Sequence, residues 1–482
     1  PHIKPFSFRL NKKIIESPFI DEVEKEKYEI YFRSVKNEIV LFNEKNIAIE
    51  ADINILAQQY GAISGKMSVE VDGKEFTLQQ AATFLQLPDR EKRKDVYFKI
   101  ATRRAKDKNE LNELFNKLIS KRHEIAVNAG FENFRDYQFQ ALGRFDYSVK
   151  DCEAFHESIK KYMLPIVEKI YENKKQELKL DTLYPWDLDA VSENETPLRP
   201  FENGDDLMKK SITAFTELHP FLGNCLSEMQ ERKHIDLDSR KGKAPGGYNC
   251  PLAETGVPFI FMNAASTADD VITMMHEGGH AVHSFLSHEL ELSAFQEYPM
   301  EMAELASMSM ELFSMEHWQH FYNNETDLQK AKKEELERVL TIFPWIATID
   351  KFQHWLYTNP HHSETERTEN WMKILSEFYP KNIEVNALEN IREIMWQKQL
   401  HLFEVPFYYI EYGIAQLGAI GMWKNFQENK SKTLENYMQA LSLGYTKPLN
   451  KLYEIAGIKF DFSEASVKEL ACFVEREMEK FN

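Results

Sequence analysis

Apolar positions along this chain recur mostly at the three- and four-residue intervals of a helix. Between Asp21 and Asn46, Tyr28, Phe32, Val35, Ile39 and Phe42 follow one another at spacings of 4, 3, 4 and 3, which puts them on one face of an amphipathic helix. Phe155, Ile159, Tyr162, Ile166 and Ile170 make a second stripe. Pro165 lies inside it, and a residue with no backbone N–H predicts a kink or restart at that point. Both stripes predict core faces rather than sites.

Strand-like alternation is scarce. In MSVEVDGKEFTL the pair Asp72-Gly73 sits between alternating residues, the pattern of a tight hairpin. The run from Val257 to Met262, VPFIFM, is a second candidate strand. The expected fold class is therefore mainly α, with a small β-sheet. Two stretches break the helical pattern. Residues 191–206 are polar and Pro-containing and predict an exposed connection. Glu231 to Gly256 includes KGKAPGGYNCP and has no periodicity, which predicts a long functional loop.

Composition narrows the class of partner. Of the 482 residues 43% are hydrophobic and 28% charged, ordinary for a folded globular chain. Against 77 acidic residues stand 59 Lys and Arg, a net charge of −18 that repels phosphate backbones and anionic lipid, so no nucleic-acid partner is expected. No apolar run reaches the roughly 18–20 residues that a membrane-spanning helix needs, and no basic-then-apolar leader opens the chain. A cytoplasmic protein without a membrane partner is the expectation. The first residue is Pro1 rather than Met, so a trimmed amino end is also expected. Cys152, Cys225, Cys250 and Cys472 form no CxxC pair and no dense disulfide pattern; buried free thiols are expected.

The chemistry concentrates in HEGGH at residues 276–280. On a helix His276 and His280 share a face one turn apart, so both imidazoles can reach one Zn²⁺, with Glu277 available as a base. The segment Thr267-Ala-Asp-Asp270 predicts a capping box that starts this helix. Gly278 and Gly279 in its middle each cost about 1 kcal/mol relative to Ala, so something is expected to approach the backbone closely there. A Pro-initiated helix follows, with Pro299 near its first turn and the run MEMAELASMSMELF. Glu297, Glu301, Glu304 and Glu311 are all near enough to supply a third ligand, and spacing does not choose among them. Glu301 and Glu304 are helical neighbours, so that one can bind metal while the other orients a ligand histidine. His283 and His288 are rival ligands. A site with three histidines is excluded, because Gly and His would be required where His283 and Leu286 stand.

Three ordered blocks, PFIFMNAASTADDVITMMHEGGHAVHSF, MEMAELASMSMEL and HLFEVPFYYIEYGIAQLG, resemble the thimet oligopeptidase and oligoendopeptidase F group of zinc metallopeptidases, closest to its oligoendopeptidase F branch. The resemblance runs from about residue 60 to the end, and the chain is shorter at its amino end than typical relatives. It implies a large helical two-lobed peptidase with a deep substrate cleft. Residues 1–85 would form an amino-terminal helical segment with the hairpin, and residues 86–482 the zinc peptidase catalytic domain. It further implies one Zn²⁺ per chain held by His276, His280 and Glu304, with Glu277 as catalytic acid and base; by helical spacing Glu301 is then left as the orienting carboxylate. His401 matches a histidine that faces the zinc in the family. Tyr408, Tyr409 and Tyr412 are the candidate catalytic tyrosines, although their spacing differs from that of the thimet branch.

Substrates would be short peptides. Phe261 and Asn263 in the strand before the motif helix are candidate substrate contacts, the strand pairing with an extended peptide by edge addition. Gly246, Gly247 and Tyr248 would close over that peptide. Internal cleavage is the leading expectation. An exopeptidase on the same zinc chemistry, either a peptidyl-dipeptidase or a carboxypeptidase, is the alternative, and an inert helical binding protein is a third reading.

Overall fold

The computed structural model describes residues 3–193, 195–240, 243 and 246–481. Asn194 and, from the KGKAPGG stretch, Lys241, Gly242, Ala244 and Pro245 lie outside the described residues. Helices dominate, as the periodicity predicts, and strands are few and short. The chain separates into two compact units. One comprises Pro1–Val23, Phe32–Pro197 and Thr341–Ile410, the other Glu24–Tyr31, Leu198–Leu340 and Glu411–Asn482. Among the described residues no helix is long and apolar enough to cross a membrane.

In the first unit the predicted hairpin forms. Strand β1 (Ser68–Val71) pairs antiparallel with β2 (Lys74–Thr77), closing at Val71 and Lys74. Asp72 and Gly73 both adopt positive φ, 53° and 73°, as a two-residue turn of this hand requires. Buried Val69 and Val71 pack with Ala81 and Val96 in a local core. The stripe around Pro165 restarts as expected, and its mechanism is specific. A helix Val149–Ser158 passes through a π-helical turn, Ile159–Met163, into a second helix, Leu164–Glu177, with Pro165 in its first turn. The wider turn absorbs the missing N–H. It also rotates the face, so that Met163 is fully buried while Tyr162 stays partly exposed. The helix expected from Asp21 to Asn46 is shorter, Glu29–Leu41. The charged residues ahead of it have little apolar surface to bury and lie mostly exposed.

The second unit carries a three-stranded sheet in the order β3 (Ile235–Asp238), β5 (Phe259–Ala264), β4 (Tyr248–Cys250). β3 runs parallel to β5 and β4 antiparallel to it. The stretch Glu231–Gly256 is thus not a structureless loop. It holds two strands of three and four residues, too short and too polar to register as alternation. β5 buries Ile260, Met262 and Ala264 on one side and turns Phe259, Phe261 and Asn263 to the other.

From β5 the chain enters the motif helix, Ala268–Ser287. Thr267 caps it: its hydroxyl accepts from the Asp270 N–H, while the Asp270 carboxylate accepts from the Thr267 N–H at 2.8 Å. The acidic helix, Met300–Ser314, begins at Pro299, and every one of its residues from Glu301 on is buried. Gly279 sets how closely these two helices approach. A Cβ built there would stand 2.6 Å from Ser307 Cα and 2.8 Å from the Ala306 carbonyl oxygen. Gly278 makes the corresponding room for the Phe215 ring. The two glycines therefore serve helix packing.

The thiols divide evenly. Cys152 and Cys225 are buried, as expected, but Cys250 and Cys472 are exposed, one on the edge strand β4 and the other on a carboxy-terminal helix.

Candidate active site

With Gly279 seated on Ser307, the acidic helix presents Glu304 and Glu311, seven residues apart, on the face toward the motif helix. His276 Nε2 and His280 Nε2 stand 3.2 Å apart. Glu304 Oε2 lies 3.3 Å from the first and 3.8 Å from the second. A tetrahedral ion with bonds of about 2.0–2.1 Å spaces its ligand atoms roughly 3.3 Å apart. The three donor atoms therefore stand close to the spacing that such an ion needs, and among the described residues no fourth side chain joins them. The Glu304 side chain is 3% exposed, whereas His276 and His280 keep 20% and 16%, so the imidazoles are held from behind and reachable from one side.

Two members of the triad have a support. Ser307 Oγ donates to Glu304 Oε2 at 3.2 Å. His276 Nδ1 bonds Glu311 Oε1 at 2.6 Å, which fixes the ring and leaves Nε2 facing His280 and Glu304. The other Glu311 oxygen accepts from the Arg338 guanidinium, which also forms a two-bonded pair with buried Glu335 at 2.7 and 2.8 Å. Spacing offered Glu301 as the orienting carboxylate. The carboxylate bonded to His276 is that of Glu311, while Glu301 is buried on the same helix with its carbonyl accepting from Tyr453. Arg338 and Glu335 were not anticipated from the sequence; the seven-residue interval from Glu304 to Glu311 was the available sign that both share a face.

The electrostatics suit a cation. Burial opposes a charge on His276, yet the Glu304 and Glu311 carboxylates hold its pKa well above the ordinary imidazole value. Burial instead pushes His280 down to about 4, leaving it in the neutral form that binds metal. Burial also raises Glu277, to about 7, with His276 opposing and Glu304 and Glu311 adding to the rise. One Glu277 oxygen, Oε2, is buried with no partner, and the backbone N–H of Asn249 donates to its carboxylate. Neither rival histidine joins the three donor atoms. His283 is fully buried and stacks on Tyr298 with ring centres 3.5 Å apart, and His288 packs against Gly256.

The substrate-contact candidates gather at β4. Gly246, at φ 100°, makes the turn into the strand, and its carbonyl accepts from Asn263 Nδ2 at 2.8 Å. A Cβ on Gly247 would lie 3.7 Å from Glu277 Oε1, so this backbone runs directly over the candidate base. Tyr248 stacks on Phe261 at 5.0 Å, and Lys243 sits over the same Phe261 ring at 4.4 Å. The expectation that the strand before the motif helix takes up a peptide at its edge is corrected here. β5 is the central strand, hydrogen-bonded on both sides, so it has no free edge; the outer strand over Glu277 is β4.

His401, Tyr408 and Tyr409 form a group within the first unit. Gln399 Nε2 bonds His401 Nδ1 at 2.7 Å, and the His401 ring lies 5.7 Å from that of Tyr408 and 4.9 Å from that of Tyr409. Burial raises the Tyr409 hydroxyl. The segment between them is clamped. Arg122 donates to the Leu402 and Phe403 carbonyls, Arg144 donates to the Phe407 carbonyl, and the Phe407 N–H donates to Gln353 Oε1 at 2.6 Å. These bonds hold Phe407 in a left-handed backbone conformation, φ 68°, that a bulky residue rarely adopts. Tyr412 lies beyond, in the second unit.

Comparison with known proteins bears on this geometry. The description of peptidase family M3 matches residues 83–472. The oligoendopeptidase F homolog of Borreliella burgdorferi is 26% identical over 459 residues, spanning 89% of this chain and 74% of its own length. Oligopeptidase PepF of Bacillus subtilis is 22% identical over 93% of this chain and 68% of its own. Among solved structures, PZ peptidase A bound to an inhibitor superposes with a TM-score of 0.94 at 27% identity, covering all of this chain and 85% of that one.

Proposed function

Because the chain belongs to peptidase family M3, in its oligoendopeptidase F branch, and is thus a peptidase of oligopeptides, we propose that it is a zinc-dependent endopeptidase with Glu277 as its general base. The observation that carries this reading is the triangle of 3.2, 3.3 and 3.8 Å between two imidazole nitrogens and a carboxylate oxygen, open on one side. His276, His280 and Glu304 would hold one Zn²⁺. When bound, the ion supplies Lewis acidity and makes water acidic enough to lose a proton near neutral pH.

Glu277 takes that proton and returns it to the leaving amine, a role suited to a buried carboxyl whose affinity for protons is raised. Glu311 keeps His276 in the tautomer that offers Nε2, and Arg338 keeps Glu311 in place. The outer edge of β4 offers backbone hydrogen bonds to an extended peptide, and Tyr248 and Phe261 offer it a flat apolar surface. His401 with Tyr408, Tyr409 and Tyr412 is assigned, by family resemblance, the role of donating to the oxygen that gains charge during attack.

The test is Glu277→Gln. The variant should bind zinc as tightly as the parent while hydrolysis of a mixed peptide library falls by about 10²–10⁴-fold; a variant that cleaves normally would overturn the mechanism. Peptides blocked at both ends separate the two enzymatic readings. Internal cleavage of blocked peptides is expected, and strict dependence on a free terminus would make the enzyme an exopeptidase.

A further inference from the structure

A second group of side chains able to bind a metal lies in the first unit, and none of its members has a role in the peptidase reading. The helix Val149–Ser158 carries Cys152 and His156, and the long helix Glu325–Thr358 carries Asp350 and His354. Each pair is four residues apart, so each stands on one helical face. Cys152 and Asp350 are fully buried, His156 is 2% exposed and His354 8%. One donor atom each from Cys152, Asp350 and His354 lies within 4.8 Å of the other two. His354 Nε2 is 3.1 Å from Asp350 Oδ2, and His156 Nε2 bonds the same oxygen at 2.8 Å.

Two polar atoms of this group have no partner: Asp350 Oδ1 and His354 Nδ1 are both buried without a hydrogen bond. A folded chain seldom leaves such atoms unsatisfied, and a bound water or a bound ion is the usual partner. The surroundings favour a cation. A cavity of about 290 Å³ adjoins the group, lined by Glu153, His156, Glu157, Lys351 and His354. Its single lysine is engaged with Glu377 at 2.7 Å and Glu157 at 3.6 Å.

We propose that Cys152, Asp350 and His354 form a second, separate site for a divalent transition metal, with His156 orienting the Asp350 carboxylate and the cavity admitting water to the remaining position. A mixed sulfur, nitrogen and oxygen donor set is one that Zn²⁺ accepts, and it excludes Ca²⁺ and Mg²⁺. Ideal tetrahedral spacing is roughly 3.3–3.6 Å for such ligands, so closing on the ion takes side-chain movement on the order of an ångström. On binding, Cys152 gives up its thiol proton to solvent and His354 binds in its neutral form.

Cobalt distinguishes this site from the HEGGH site, because only this one contains sulfur. The protein would carry Cys250→Ser and Cys472→Ser to remove the exposed thiols, then be stripped with a chelator and loaded with Co²⁺. A thiolate-to-cobalt charge-transfer band in the near ultraviolet is expected, with roughly two cobalt ions per chain. Adding Glu304→Ala should leave the band in place, and adding Cys152→Ser should abolish it and remove one ion. Absence of the band from the starting protein, or its survival in the Cys152→Ser chain, would overturn the proposal. Either result leaves the peptidase reading untouched, since that reading stands on the Glu304-dependent ion.

Discussion

His276 Nδ1 and Glu311 Oε1 stand 2.6 Å apart, and Glu311 is held in turn by Arg338. A carboxylate behind a metal-binding histidine fixes both the tautomer and the aim of the ring. Glu311→Gln should therefore weaken zinc binding by about 10–100-fold, measured by competition with a chromogenic chelator. Glu301→Gln is the comparison, since Glu301 is equally buried on the same helix. Equal losses in the two variants would remove the special role of Glu311.

At position 279 the motif helix has no room for a methyl group. Gly279→Ala should lower stability by about 1–3 kcal/mol through overpacking against Ser307 and Ala306, seen in the denaturation midpoint. Moving the acidic helix also moves Glu304, so zinc affinity should fall together with stability. Gly278→Ala meets the side chain of Phe215 rather than backbone, and a smaller loss is expected. The reverse order would mean that the acidic helix is not positioned by Gly279.

Arg338 is shared by two buried carboxylates. Arg338→Met should destabilise the protein by about 1–3 kcal/mol, less than for a wholly buried pair because Arg338 keeps contact with solvent, while Glu311 and Glu335 are left as buried acids without their cation. Adding Glu335→Gln should recover part of the loss. Thermal unfolding of the three proteins decides it; no recovery in the double variant would show that the pair is not what holds this corner.

The exposed thiol on the edge strand gives a chemical probe. A bulky maleimide should react quickly at Cys250 and Cys472 in the native protein and slowly at Cys152 and Cys225; burial pushes the Cys225 thiol up to about 12. Modification at Cys250 should reduce peptide turnover by crowding β4, and Cys250→Ser should make turnover insensitive to the reagent. Undiminished turnover of fully modified protein would argue against β4 as the substrate strand.

Removal of the proposed metal offers a further check. Dialysis against a strong chelator should abolish peptide hydrolysis, and added Zn²⁺ should restore it. In Glu304→Ala the restoring concentration should rise steeply, since one of three ligands is gone. Full activity in the metal-free protein would sink the zinc mechanism.

Much of the site is local, and so it was legible in the sequence. His276 and His280 fall on one helical face by periodicity alone, Thr267 and Asp270 cap that helix by their spacing, and Asp72-Gly73 turns the hairpin through two positive φ angles. Each of these depends on residues no more than five apart. The place of β5 was not legible. A strand becomes central only when distant segments pair with it, and those segments, β3 and β4, are too short to announce themselves. The exposure of Cys250 follows from the same arrangement.

The choice among four glutamates shows where the division falls. Helical spacing presents Glu297, Glu301, Glu304 and Glu311 as a set of acids and contains nothing to rank them. The tertiary structure ranks them through one contact: the missing Cβ of Gly279 lets Ser307 seat against the motif helix, which puts Glu304, one turn earlier, at the two Nε2 atoms and Glu311, one turn later, at His276 Nδ1. The sequence by itself determined the histidine pair, the glutamate between them and the helix that carries them. The carboxylates on either side of His276 were decided by how closely two helices could pack.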